Sequence, residues 1–208
     1  TNTNLELIGE ALGFGTEAIT TNEDTNTSTV ADASADEARA MYIKYTGTLD
    51  SACTITIGPN TMKRVHIIEN GTSGSQDIII SQGSGANVTI PNGHTKTVYL
   101  DGAGSGAAVV DAFASLCVGA NFYIKNAATG DNSTANLYLQ TAEADIAADD
   151  VIGKINFQTP DEGTGTDANL VAAAIQAISE GDFSSSANAT SLQFMTGASE
   201  AAAAKMSV

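Results

Sequence analysis

The chain has 208 residues and a formal net charge of −16, from 24 acidic against 8 basic residues. The cations Arg39, Lys44, Lys63, Arg64, Lys96, Lys125, Lys154 and Lys205 are scattered, with one adjacent pair, so no basic patch forms and nucleic-acid binding is not expected. No apolar run approaches the length of roughly 18 residues that a membrane helix needs, and no basic-then-apolar leader is visible.

The apolar content of 42% is ordinary, but its quality is not: alanine is the most abundant residue, there are 20 glycines, aromatic residues make up 5%, and tryptophan is absent. Burial stabilises in proportion to area, at about 25 cal/mol per Å², and alanine has little area to bury. Such a chain gains modestly per residue and calls for partner chains, so self-association is expected. The acidity reads as a solvated surface. Calcium would need oxygen ligands at fixed spacing around a turning glycine, a pattern that Asp145, Asp149 and Asp150 do not make.

In chain order, residues 1–38 are rich in Thr, Asn, Asp and Ala after a short apolar opening at Leu5 to Phe14. They read as an extended N-terminal arm or weakly ordered strands. Residues 39–115 are more regular. Runs at Met41–Tyr45, Cys53–Ile57, Val65–Ile68, Asp77–Ser81, Asn87–Ile90 and Thr97–Leu100 are rich in Ile, Val, Tyr and Thr, with Gly, Asn and Pro clusters between them. Short strands at this spacing predict an antiparallel sandwich-like or barrel-like module.

Residues 116–208 reuse one five-residue pattern at Leu137–Thr141 (LYLQT), Ile155–Thr159 (INFQT) and Leu192–Thr196 (LQFMT). Each run puts two apolar side chains on one face and ends on threonine, the mark of a half-buried strand. Ala168–Ser179 (ANLVAAAIQAIS) fits both a helical stripe through Leu170, Ala174 and Ile178 and a strand face through Val171, Ala173, Ile175 and Ala177; alanine propensity favours helix and the surrounding strands favour sheet. The chain begins at Thr1 without methionine and stops at Val208 mid-pattern, which reads as a fragment.

Residue types that carry chemistry are sparse. Within Ala52–Ile57, Cys53 shares a side with Ile55 and Ile57 and reads as a buried small hydrophobe; a disulfide with Cys117 stays open, since two cysteines define no framework. Gly102, Gly104 and Ala107 in DGAGSGA match the spacing G-x-G-x-x-A of dinucleotide-binding turns. That motif needs a parallel βαβ unit and an acidic residue about 20 positions on, where this chain has Lys125 and Asn126, so a glycine connector is the reading and no cofactor is expected. His66 and His94 stand apart, with no His-x-His or Cys-x-x-Cys pairing, so no metal site is expected. Serines such as Ser73, Ser75 and Ser184–Ser186 lie in generic loops without a G-x-S-x-G elbow, and the carboxylates Asp149, Asp150, Asp161 and Glu162 read as exposed loop groups rather than a glycosidase pair. The Asn-x-Ser/Thr sequences at Asn70, Asn87, Asn132 and Asn188 carry no information without a secretory context. The chain is therefore not expected to be an enzyme, and no catalytic, cofactor or metal residue is assigned.

Met41–Ala108 resembles a module recurrent in tail-fibre and related structural proteins of marine bacteriophages, especially those infecting cyanobacteria. Ala148–Met206 resembles a broader phage-fibre element, with an I-G-x-I-x-F strand (Ile152, Gly153, Ile155, Phe157), an acidic turn, an Ala-rich segment, an L-x-F-x-T strand (Leu192, Phe194, Thr196) and a closing K-M (Lys205, Met206). Together they cover well over half the chain. The resemblance implies a mainly β, intertwined, elongated homotrimer with an N-terminal arm at 1–38, a sandwich-like module at 39–115 and a β-repeat shaft at 116–208, truncated at its C-terminus. It implies a virion appendage, made in the cytoplasm of the host bacterium, whose partners are its own copies, other phage tail or virion proteins and a host surface glycan or receptor. It also tips Ala168–Ser179 toward strand. A head fibre or decoration protein and, further off, a glycan-cleaving spike are the alternatives. The polar loops Asn126–Thr134 and Asp161–Asp167 suit receptor contact and plain turns equally.

Overall fold

The computed structural model describes residues 3–158, 170–198 and 200–208 and is mainly β. It divides into two compact units, Thr1–Gly119 and Ala120–Val208.

The first unit opens with helix α1 (Thr3–Ala11), followed by β1 (Phe14–Ile19), β2 (Thr25–Thr29), β3 (Tyr42–Gly47), β4 (Cys53–Gly58), β5 (Arg64–Asn70), β6 (Ile78–Ser81), β7 (Val88–Ile90), β8 (Thr95–Leu100) and β9 (Val109–Asp111). Through β6 the strands alternate between two sheets, ordered β1-β3-β5-β8-β9 and β2-β4-β6-β7. The pairs β1–β3, β3–β5, β2–β4 and β4–β6 are all parallel. Phe14 therefore stands beside Tyr42 and Tyr42 beside Ile67, while Thr25 stands beside Thr54 and Thr54 beside Ile79. The chain thus climbs through three coils at roughly 25 residues per coil, the period of a solenoid rather than a sandwich. Three antiparallel strands then close the stack: β7 on β6, β8 on β5 and β9 on β8.

The antiparallel reading of residues 39–115 holds for β6–β7, β5–β8 and β8–β9 and fails for β3–β5 and β4–β6, which are parallel. Gly and Asn clusters between short strands serve a solenoid corner as well as a hairpin turn, so composition alone does not separate the two. Residues 1–38, expected as an extended arm or weakly ordered strands, supply α1 and the strands of the first coil, β1 and β2.

Between the sheets lies one core. Ile43, Tyr45, Cys53, Ile55, Ile57, Ile68, Ile78, Ile80, Ile90 and Val98 are fully buried, each large aliphatic contributing about 1.5–3 kcal/mol relative to exposure. In-register stacking orders them: Cys53 abuts Ile78, which abuts Ile90, and Ile55 abuts Ile80, which abuts Val88. One corner requires glycine: Gly74 has φ +99°, and a Cβ there would lie 1.9 Å from the Leu49 carbonyl oxygen. Cys53 is buried, Cys117 is exposed, and both are free thiols.

In the second unit, β10 (Val151–Gln158), β11 (Val171–Ser179), β12 (Thr190–Thr196) and β13 (Ala203–Ser207) form one antiparallel sheet in chain order. The segment that fitted both helix and sheet is strand from Val171 onward. Ile155–Gln158 and Leu192–Thr196 fall in strands as expected, and Thr159 lies outside the described residues. Leu137–Thr141 does not form a strand. Its alternation is present, but among the described residues no strand pairs with it.

Candidate functional site

The pairing registers of the second sheet sort its side chains into two unlike faces. One face carries Gly153, Ala177 and Leu192 in a row, then Ile155, Ile175, Phe194 and Met206, then Phe157, Ala173 and Thr196. The other carries Lys154, Gln176, Gln193 and Ser207, then Asn156, Ala174, Met195 and Ala204, tied in part by Gln176 Nε2 donating to Gln193 Oε1 at 2.9 Å. The first face is apolar and open: Ile155 is 41% exposed, Phe157 54% and Met206 52%. A sheet with one apolar face buries it against another layer in a stable fold.

Among the described residues one extended segment leans on that face. A Cβ at Gly153 would lie 2.9 Å from the Leu139 Cβ, so glycine there is what lets Leu139 approach the sheet. The contact bounds a shallow cavity of about 180 Å³ among Leu139, Ile155, Ile175, Ala177 and Leu192. Residues 120–149 contain no helix or strand. Within them Phe122, Tyr123, Leu137 and Tyr138 are each at least 60% exposed.

Comparison of the chain with protein-family models, with curated proteins and with solved structures finds no match.

The residues singled out for chemistry are dispersed. His66 is fully buried in the first unit: its Nδ1 lies 3.0 Å from the Ala40 carbonyl, its Nε2 has no partner, and burial pushes its pKa down to about 4. His94 is exposed on a turn, where its Nδ1 meets the Asn92 carbonyl. Gly102 and Gly104 both have positive φ, but the strand after them is β9, antiparallel to β8. No βαβ crossover exists there, so the dinucleotide reading fails on topology.

Asp150 Oδ2 accepts the Ala147 amide at 2.7 Å, and the Asp149 and Asp150 amides donate to the Ser179 carbonyl and Oγ. These two residues organise the turn into β10. Asp161, Glu162 and the loop Asp161–Asp167 lie outside the described residues. Among the described residues no three His, Cys, Asp or Glu side chains gather to hold a metal, and no helix is long and apolar enough to cross a membrane.

One polar cluster has no local sequence signal. Glu17, Ser28 and Tyr45 come from β1, β2 and β3, and meet inside the first unit. Ser28 Oγ lies 2.8 and 2.7 Å from the Glu17 carboxylate oxygens and 3.0 Å from the Tyr45 hydroxyl. The single Ser28 proton goes to the carboxylate, so Tyr45 donates to Ser28. Burial, the largest cause, raises the Glu17 pKa, and it raises that of Tyr45 too. With Ser28 and Tyr45 buried, no substrate reaches the hydroxyls, and the cluster serves to satisfy polar groups inside the first coil. The only sequence clue was the coil period, which brings positions 17 and 45 side by side.

Proposed function

We propose that the chain is a bacteriophage virion structural protein, a trimeric tail fibre or a part of one, which attaches the particle to the host cell surface and carries no enzymatic activity. The observation that carries this reading is the open apolar face of the second sheet, with Ile155, Phe157, Ile175, Leu192, Phe194 and Met206 on one side. Three copies around one axis would bring three such faces together, leaving Lys154, Asn156 and Gln193 outside. Closing apolar faces in this way is how a chain with few large side chains gathers enough burial to be stable.

The extended stretch before β10 supports the same reading. Among the described residues its strand-like runs Phe122–Lys125 and Leu137–Thr141 join no sheet, and β10 and β13 stand at the edges of theirs. An intertwined assembly supplies each with a partner from another copy. Partners beyond the chain itself are neighbouring tail or virion proteins and a surface glycan or receptor of the host. The same build would suit a head fibre or a capsid decoration protein, and labelled antibody on intact virions distinguishes those locations.

The test is the solution mass of the full chain by light scattering across a dilution series. Three times 21.1 kDa, unchanged on dilution, is expected. A monomer at every concentration overturns the intertwined trimer.

A further inference from the structure

Among the described residues, the buried side-chain polar atoms left without a hydrogen bond are Glu10 Oε2, Asp36 Oδ1, Arg39 Nε and His66 Nε2. All four gather at one junction of the first unit, where α1 meets the short helical turn Glu37–Arg39 and the start of β5. Glu10 accepts the Asp36 amide at 3.1 Å, its Oε2 lies 3.4 Å from Arg39 Nε, and Arg39 Nη2 lies 3.2 Å from Asp36 Oδ2. Arg64 Nη2 of β5 donates to the Ala11 carbonyl at 3.0 Å. Ala40, next after Arg39, supplies the carbonyl that takes the His66 Nδ1 proton at 3.0 Å.

Apolar burial does little to hold α1 here. None of its side chains is buried, and Leu5 and Ile8 are 59% and 55% exposed. At 9 residues it is shorter than the roughly 12–15 at which an isolated helix becomes stable in water. Its polar anchors, at Glu10 and Ala11, fall in its last turn. Sheet pairing takes over at Gly13, whose carbonyl accepts the Tyr42 amide at 3.2 Å, so α1 can lift while β1 stays paired with β3.

We infer that α1 and the Glu37–Arg39 turn form an acid-released strap, which lifts from β5 when His66 takes up a proton while the two sheets stay folded. The neutral ring fits because its one proton, on Nδ1, meets the Ala40 carbonyl. A second proton would sit on Nε2, which is buried with no acceptor, and a charge so placed is costly. The ring reaches water at least cost by displacing the side that no strand ladder holds, since its neighbour Val98 is fixed in the β5–β8 register. Burial pushes the folded pKa down to about 4; in the open form the ring returns toward about 6.5, so opening is favoured as pH falls between those values.

The charged groups facing the junction are Glu10 from α1, Asp36, Glu37 and Arg39 from the turn, Arg64 from β5 and Glu17 from β1. Arg64 disfavours a second cation at His66, and protonating Glu10 or Asp36 removes the partners of Arg39, so these act in the same direction as the ring. Glu17 acts the other way, because burial favours its protonated form. The inference does not depend on how copies associate.

Hydrogen exchange of the full chain, read by mass spectrometry with each amide rate divided by its intrinsic rate at that pH, tests it. The hydrogen-bonded amides of α1 and those of Arg39 and Ala40 should be protected at about pH 7. They should lose that protection more than roughly tenfold by about pH 4.5, while β4 and β6 keep theirs. His66→Leu should flatten this pH dependence, whatever it does to protection at neutral pH. As a second reading on the natural chain, the imidazole signals of His66 followed by NMR should change charge over the same pH range in which α1 opens. Four results overturn the inference: α1 unprotected at neutral pH, α1 losing protection only together with β4 and β6, an undiminished pH dependence in His66→Leu, or a ring that stays neutral while α1 opens.

Discussion

His66 and Asn70 are neighbours in sequence and opposites in how their polar atoms are met. Nδ1 of His66 donates to the Ala40 carbonyl while Nε2 is buried without a partner, which makes the neutral ring tolerable and the charged ring costly. Its folded pKa of about 4 lies below the ordinary 6.5, with burial as the largest cause. The unfolded chain therefore takes up the proton first as pH falls. Stability is intact above about pH 6.5 and is lost progressively down to about pH 4, by on the order of 3 kcal/mol in total. Glu17 works the other way: its raised pKa means the folded form holds its proton more readily, so acidification returns some stability. In urea unfolding at about pH 7 and about pH 4.5, the natural chain should lose more stability than His66→Leu does. Equal losses would show that the ring does not contribute. Asn70, by contrast, is fully met: Nδ2 donates to the Gln76 and Ile90 carbonyls at 3.0 Å each, and Oδ1 accepts from the Thr72 amide and hydroxyl. Asn70→Ala strands two carbonyls and an amide in the core and should cost about 2–4 kcal/mol in the same assay. Its burial also leaves no room for a glycan at that Asn-x-Ser/Thr sequence.

At the scale of elements, the solenoid corners and the parallel registers decide the fold. Gly74→Ala puts a methyl into the Leu49 carbonyl at a backbone angle that L-residues avoid, and should cost about 2–4 kcal/mol, read as a lower thermal midpoint. A midpoint within a degree or so of the natural chain would mean that the corner adapts. Strands such as β4 and β6 were legible because Cys53–Ile57 and Ile78–Ser81 alternate or run apolar between turn residues. β1 and β2 were legible only as an extended arm or weakly ordered strands, since FGTEAI and TNTST look like loop composition. What makes them strands is in-register pairing to β3 and β4, a non-local property that no window around them contains. The one visible hint was T-x-T at Thr25 and Thr27 recurring at Thr54 and Thr56, which the structure places side by side. In the second unit the pattern was legible and its pairing was not: Leu137–Thr141 alternates like a strand, yet among the described residues no strand pairs with it. The open apolar face was half readable, because Ile155, Phe157, Leu192 and Phe194 alternate within their strands, while the register that aligns them with Ile175 and Met206 is set by the sheet.

For the whole molecule, two large terms of opposite sign govern association, and salt separates them. Each copy carries −16, so bringing copies together costs electrostatic work, while closing apolar sheet faces against each other returns hydrophobic free energy. Raising salt from roughly 0.01 M to roughly 1 M shortens the screening length from about 30 Å to about 3 Å. That removes most of the repulsion between distant surface carboxylates and leaves the apolar term intact. Among the described residues the ion pairs Arg39–Glu10, Arg39–Asp36, Lys44–Glu69 and Lys96–Asp111 lie within one copy; they contribute little at the surface and nothing across copies. Association that proceeds through apolar faces should therefore tighten as salt rises, with the light-scattering dilution curve moving to lower protein concentration. An assembly held by ion pairs between copies would loosen instead, and that result would remove the apolar face of the second sheet as its cause.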